Sequence, residues 1–488
     1  MRRSGAGHGG LGRGVAVAAV LAVAGGLLAP AATAGAAGRE GGRAEQGAGG
    51  GARSWDGVWR TDGYGTVLTV RGGAVREYQT TAVSCLPGDT ARHTGESGGV
   101  RSYTKENGRT FSLRRAGGPD RLALHVDGSP GDRGLHRIAA LPADCDPDAG
   151  PEPFDPVRSF DVFWHTFAEN YPFFAAKGVD WRAVRDAYRP RVHPDTGRDE
   201  LFALFREMVQ PLHDAHVSID AGASGSFQGL RPGTTMPDEA LDARTTAYIE
   251  DRDLGGRPLQ KYANGLIGYA DLPGGRGYLR VVAFLGYAKT PTYEANKAAL
   301  DAALDAVFTA ERTRKLRGLV IDLRVNGGGA DSFGLDLAAR LTDRPHLAYA
   351  KRARNDPADP TRFTAPQPLY VTPASGPRYT GPIAVLTGGS TISAGETFTQ
   401  ALLERPGTTV RIGEHTQGVF SDTLERGLPG GWRFDVPNEE FRTRSGQTFD
   451  GPGIPPHLAE PVFTEEEFAH RRDSAFDRAL RVLPGGGG

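Results

Sequence analysis

Only two cysteines, Cys85 and Cys145, occur in the 488 residues, and no HExxH pattern accompanies them, so the chain lacks the full ligand set of a structural or catalytic zinc site. It also has no excess of charge. Lys and Arg number 57 against 58 Asp and Glu, a formal net charge of -1, which leaves no global field to attract nucleic acid or anionic lipid. Long apolar runs are missing beyond the first 37 residues, so no later segment is expected to span a bilayer. No internal repeat is evident. The length suits two or three domains and a sizeable core, and partners must be sought at local sites.

The N-terminus carries Arg2 and Arg3, an apolar stretch from Val15 to Leu28 and the small residues "AATAGAA", the pattern of a cleaved export signal over 1–36. The Gly/Ala-rich segment 37–53 reads as a disordered linker. In an exported chain the even cysteine pair is expected to form one disulfide closing a loop of about 60 residues, two unpaired buried thiols being the alternative. Residues 54–148 hold short alternating stretches, among them "DGVWRT", "GTVLTV", "EYQTTAVS" and "RLALHV". Asn107-Gly108 is a hairpin signal, so a small antiparallel β domain of barrel or sandwich type is expected.

At Asp155 the period changes. Asp155 suits a cap, Pro156 the first helical position, and Phe160, Phe163, Trp164 and Phe167 fall on one helical face. A second helix is expected at "RDELFALFREMV", stopping before Pro211, and residues 150–225 form a helical segment. From 226 to 482, "GRGYLRVVAFLGY", "LRGLVIDLRV", "GPIAVLTG" and "TTVRIGE" read as buried strands, with helices at "YEANKAALDAALDAVFTAER" and "SAGETFTQALLER". That alternation predicts an α/β core with a mostly parallel sheet covered on both faces. Residues 483–488 read as a flexible tail.

Two patterns carry little chemistry. "GESGG" matches a nucleophile-elbow pattern, but Ser97 is expected in a polar loop of the β domain, without the strand before it and the helix after it that such an elbow needs. His213, Asp214 and His216 stand close together in "LHDAHVSI", without further ligands for a metal. Ser393 in "GGSTISAGETF" is better placed. It follows a strand and opens a helix, where free N–H groups can stabilise an oxyanion; equally, Ser393 with Glu396 is a capping box, and local sequence leaves both readings open. A second glycine turn, Asn326-Gly327-Gly328-Gly329, follows another buried strand. It lacks the GK[ST] ending of a phosphate loop, and Asp331 follows closely, so it reads as an oxyanion hole.

These stretches, "RGLVIDLRVNGGG", "VLTGGSTISAGETF", "IGEHTQG" and "FDGPGIPPH", with "ENYPFFAAKGVDW" and "LHDAHVSI" upstream, resemble in order the C-terminal-processing (tail-specific) serine peptidase family from about Phe160 to Val462. The resemblance implies a crotonase/ClpP-like spiral core, Ser393 as nucleophile, and an oxyanion hole built from the Ala394 amide and that of Gly328 or Gly329. One branch uses a lysine after the nucleophile helix; Val419 stands at that position and no lysine follows Lys351. The branch represented by tricorn core proteases implies His216 as base and Asp450 as the acid that orients it. His415, beside Glu414, is the rival base.

The chain departs from that branch at Ala215, where a serine often precedes the histidine, at Asp450, where Glu is usual, and at His457, where Asp is usual. No PDZ-like module is legible between 217 and 276. The implied activity is that of an exported, extracytoplasmic serine peptidase acting on a peptide or protein through an acyl-enzyme. No cofactor, nucleic acid or lasting membrane insertion is implied. A non-hydrolytic ligand-binding protein on the same scaffold, or an esterase or amidase with the same triad, are the alternatives.

Overall fold

The computed structural model describes residues 54–148 and 150–485, so the expected signal and linker lie outside the described residues. Eight antiparallel strands open it: β1 (Gly57–Thr61), β2 (Thr66–Arg71), β3 (Ala74–Thr81), β4 (Ser84–Ser97), β5 (Val100–Lys105), β6 (Thr110–Arg115), β7 (Arg121–Val126) and β8 (Arg133–Ile138). Each pairs with the next and β8 pairs with β1, which closes a barrel and removes both sheet edges. Inward side chains such as Trp59, Tyr103, Phe111 and Leu135 fill it. The Asn107-Gly108 turn joins β5 to β6, with Gly108 at φ 81°.

Two strands escaped the sequence reading. β4 runs for 14 residues through Pro87 and Gly95, each beside a register shift, so bulges break the alternation that marks a strand. β8 has only Leu135 fully buried. Ser97, expected in a loop, instead ends the strand β4 just before the Gly98-Gly99 turn that leads into β5, so a strand does precede it but no helix follows. Cys85 and Cys145 are joined in a disulfide that spans 60 residues and ties β4 to the segment leaving the barrel.

Three helices follow: α1 (Pro156–Asn170), α2 (Trp181–Tyr188) and α3 (Arg198–Val209). Asp155 caps α1 by accepting from the Arg158 N–H, with Pro156 at the first position, as the residue types require. Phe163 stacks on Phe205 of α3 with ring centroids 4.1 Å apart. Burying one such side chain contributes about 1.5–3 kcal/mol. This cluster also takes in Leu428, Trp432, Phe434 and Val436, so the helical segment shares its core with a hairpin from late in the chain. The short strand Ser218–Asp220 pairs with residues 433–435 of that hairpin and leads directly out of the histidine motif.

The core sheet has seven strands. Gln260–Tyr262, Ile267–Leu272 and Arg276–Val281 pair antiparallel; Gly318–Asp322, Ile383–Thr387, Thr409–Gly413 and Leu458–Ala459 continue from the last of these in parallel. Both faces are covered, as buried parallel strands require. Leu319, Ile321, Ile383 and Val385 pack in one cluster with the helices Tyr293–Val307, Asp331–Ala339 and Ala394–Ala401. Val320, Ala384 and Leu386 pack on the other side with Ala475, Phe476 and Ala479. Among the described residues no helix is long and apolar enough to cross a membrane.

Candidate active site

The carboxyl ends of two adjacent core strands deliver the glycine turn and Ser393. Strand Gly318–Asp322 is pinned at its end by Arg324, fully buried between Asp322 and Asp473, and leads into Asn326. Val325 and Asn326 pair in parallel with Ser390 and Thr391, which brings the turn beside the serine. Asn326 Nδ2 donates to the Val281 carbonyl, and its Oδ1 accepts the Gly328 N–H at 3.0 Å. The Gly328 amide is therefore engaged. Gly329, exposed and at φ 134°, has no hydrogen-bond partner for its N–H among the described residues, and neither has Ala394.

A Cβ placed on Gly328 would stand 2.5 Å from the Ser393 Cβ, and one on Gly395 2.6 Å from Asn326 Oδ1. Both glycines are thus required by close approach, one between turn and nucleophile candidate, the other between turn and helix. Asp331 faces inward, with Oδ1 accepting from Thr397; burial and the field of Asp422 push its carboxyl well up. It adds little negative charge to the mouth of the turn.

Ser393 is half-buried while its neighbours are buried, and it sits at φ 57°, ψ −121°, a conformation costly for a residue with a Cβ. Of the capping box foreseen with Glu396, the half in which the Glu396 carboxylate accepts from the Ser393 N–H is made, at the residue that is also the candidate nucleophile. Glu396 Oε2 accepts from the N–H groups of Ser393 and Val419, and Oε1 from that of Gly418. One buried carboxylate thereby ties the serine to the 416–419 loop. Burial pushes it up to about 7, against the hydrogen bonds that favour the charged form.

Because the ordinary value is 4.5, the folded state holds this proton more tightly than the unfolded chain between pH 4.5 and about 7. Stability from this group is present below 4.5 and is lost as pH rises through about 7, by roughly 3 kcal/mol in all. Denaturant titrations from pH 5 to 8 are expected to show this slope in the wild type and not in Glu396→Gln; equal slopes would assign the titration elsewhere.

His216 follows a 3₁₀ turn and the left-handed His213, and its N–H donates to Asp214 Oδ1, whose other oxygen accepts from the Tyr171 hydroxyl. Ala215 packs with Ile392 and Val419, so the residues preceding the histidine and the serine touch. No hydrogen bond joins the two side chains among the described residues, and His216 Nδ1 is buried without a partner. Burial lowers the imidazole pKa below 6.5, while Asp214, then Asp422, then the facing Ser421 carbonyl pull it upward.

Asp450, expected to orient His216, is buried. Its carboxylate accepts from the Phe420 N–H and the Thr448 hydroxyl, and burial, followed by the fields of Asp214 and Glu396, holds it well above the usual carboxylate range. It makes no hydrogen bond to His216. Asp422, whose field also reaches the imidazole, was not singled out by the sequence: "GVFSD" offers no spacing or period that marks it. Exposed His415 bonds through Nδ1 to the Pro452 carbonyl.

Residues 276–459 match the profile of Peptidase family S41, and residues 157–210 that of the Tricorn protease C1 domain. No curated protein matches the sequence. Among solved structures, a protein from Parabacteroides merdae ATCC 43184, provisionally assigned as a peptidase, is 25% identical at a TM-score of 0.57, covering 68% of this chain and 98% of its own. Mature CPAF is 13% identical, with a TM-score of 0.49 and coverage of 67% and 95%. The photosystem II D1 C-terminal processing protease is 18% identical, with a TM-score of 0.39 and coverage of 68% and 100%.

The S41 match spans both the glycine turn and Ser393, which defines the chain as a hydrolase, a serine-type peptidase. The tricorn-type match ends six residues before His216, on the helices that carry it into the site.

Proposed function

We propose that the chain hydrolyses peptide bonds through an acyl-enzyme with Ser393 as nucleophile and His216 as general base. Ser393 Oγ attacks the scissile carbonyl carbon as its proton passes to the imidazole. The tetrahedral oxyanion is held by the N–H groups of Ala394 and Gly329, the two left unpaired at the turn, while Gly328 supplies the space that lets them converge. The imidazolium then protonates the leaving amine, and water releases the acyl group by the same steps in reverse roles. The observation that carries this reading is the strained, half-exposed Ser393 set against a glycine turn with a free, exposed amide. Asp450 serves here by fixing Phe420, two residues before Asp422, rather than by touching the imidazole.

The match to a tricorn-type helical region favours the Ser/His arrangement, as does Val419, buried against Ala215 and Ile392 where a lysine base would stand. A crotonase/ClpP-like spiral is the form we assign to the core, and export follows from the signal-like N-terminus and the disulfide.

The test is labelling by a fluorophosphonate across pH 5 to 9. The labelling rate is expected to rise with pH to a plateau, with a midpoint below the ordinary imidazole value of 6.5, because burial favours the neutral, proton-accepting ring. Absence of labelling would favour the ligand-binding alternative, and a midpoint above about 7 would give the base role to another group.

A further inference from the structure

Residues 228–237 touch all three pieces of this site. They leave the short strand Ser226–Gln228, which pairs antiparallel with Ser218–Asp220, the strand that follows His216. The carbonyls of the residues on either side of the histidine are taken by this segment: Gln228 Nε2 donates to that of Ala215 at 2.8 Å, and the Gly229 N–H to that of Val217 at 2.9 Å. A Cβ on Gly229 would stand 2.1 Å from the Asp214 carbonyl oxygen, so the segment lies directly on the turn that carries His216.

Its other end is bound to the loops around Ser393. Arg231 donates from Nε to the Gln417 carbonyl at 2.9 Å and from Nη2 to those of Thr416 at 2.6 Å and His415 at 3.4 Å. It makes no ion pair among the described residues. Gln417 Nε2 donates both to the Thr234 hydroxyl at 2.9 Å and to the Gly389 carbonyl at 3.0 Å, and Ser390 Oγ donates to the Thr235 carbonyl at 2.6 Å. The Gln417 N–H bonds the Thr391 carbonyl at 2.9 Å, so the loop that Arg231 grips is itself tied to the residues leading into Ser393.

Pro237 then passes the glycine turn, 3.8 Å from where a Cβ on Gly327 would stand. Leu230 and Met236 pack on Ala215, Ile392 and Val419, and the Val419 carbonyl accepts the Ser393 N–H at 3.1 Å. The segment thus joins two sheets. His216 precedes a strand of the four-stranded sheet, whereas Ser393 follows a strand of the seven-stranded one. No side-chain hydrogen bond joins the pair, so their separation is set by what holds the two backbones together. Proton transfer is sensitive to that separation, since a misplacement of about 1 Å can cost about 10²-fold in rate.

We propose that residues 228–237 are a brace that fixes the distance between base and nucleophile, with Gln228 and Arg231 as the positioning residues at its two ends. This rests on the Ser393/His216 reading above. Arg231 acts by geometry rather than by charge: its acceptors are neutral carbonyls, and the loop it holds carries the Gly418 and Val419 N–H groups that bind Glu396.

The experiment measures fluorophosphonate labelling of the full chain at about pH 8, where the neutral imidazole prevails. It separates the limiting rate at saturating probe from the probe concentration that gives half of it, with melting followed in parallel. Arg231→Ala is expected to lower the limiting rate about tenfold and to leave the half-saturating concentration unchanged, as loss of alignment without loss of binding does. Arg231→Lys, whose ammonium can still donate to the Thr416 and Gln417 carbonyls, should restore most of the lost rate. Gln228→Ala should cost a similar factor, and the double variant no more than the larger single loss, because a link opened at one end holds nothing at the other.

A limiting rate in Arg231→Ala equal to wild type overturns the proposal. So does a change confined to the half-saturating concentration, which would make Arg231 a contact of the probe, or a loss that Arg231→Lys does not relieve. Losses that multiply in the double variant overturn it as well, since ends that act independently are not one brace. Gln228 is exposed, so its variant keeps the fold and decides the matter by itself if Arg231→Ala does not fold. Failure of the wild type to label would instead reject the peptidase mechanism on which the proposal is built.

Discussion

Replacing Ser393 with alanine is expected to abolish hydrolysis and fluorophosphonate labelling while leaving the fold in place. Loss of the nucleophile in an acting triad lowers the rate roughly 10⁴- to 10⁶-fold, since the remaining oxyanion hole and binding contacts supply only the residual catalysis. The structural cost is small for a physical reason. Alanine retains the Cβ that already occupies the φ of 57°, next to Gly328, so no new strain arises and no cavity larger than a hydroxyl is left. The Glu396 carboxylate still binds the Ser393, Gly418 and Val419 amides through backbone N–H groups that the substitution does not touch. Comparable activity in Ser393→Ala, with melting unchanged, would mean that the residue is a cap alone.

His216→Ala should cost nearly as much, about 10³-fold or more, because without the imidazole the serine hydroxyl has no acceptor for its proton at neutral pH. The competing assignment makes the result discriminating. His415 is exposed and tied to the Pro452 carbonyl, so His415→Ala is expected to leave the rate within about twofold, as surface substitutions do. The reverse pattern, loss in His415→Ala with His216→Ala active, would move the base to the 414–416 loop. Substituting His216 also removes a ring with an unpartnered buried nitrogen, so the variant should fold at least as well as wild type; its melting checks that the lost activity is chemical.

Much of this site was legible from short spacings. Asp155 with Pro156 announced α1, the strands at 318–322 and 383–387 stood out as apolar runs, and the two glycine-bearing turns after them named the places where backbone amides come free. Resemblance then joined Ser393 to His216. The acid was harder. Asp450 carries the position of the acidic residue in the related pattern; its oxygens accept from Phe420 and Thr448, and burial disfavours its charge. Asp422 shows no pattern at all, and its ionisation depends on Lys351, 71 positions earlier, and on Arg133 and Ser129 in another domain. The barrel strand β4 was missed for a different reason: two bulges put Pro87 and Gly95 in the middle of a strand, which local propensity reads as breaks.

What the amino-acid order determined by itself is whatever depends on neighbours within about four residues: caps, apolar faces, the glycine turns and the serine that opens a helix. Only the tertiary structure decided how far burial raises the proton affinity of Asp450 and Glu396, which glycine keeps a free amide after Asn326 has taken the other, and that the barrel loop at Gly128 and Ser129 meets the residues after the glycine turn. Those outcomes depend on burial and on charges brought together from distant positions, and a carboxylate's proton affinity is set by that environment rather than by its own place in the chain.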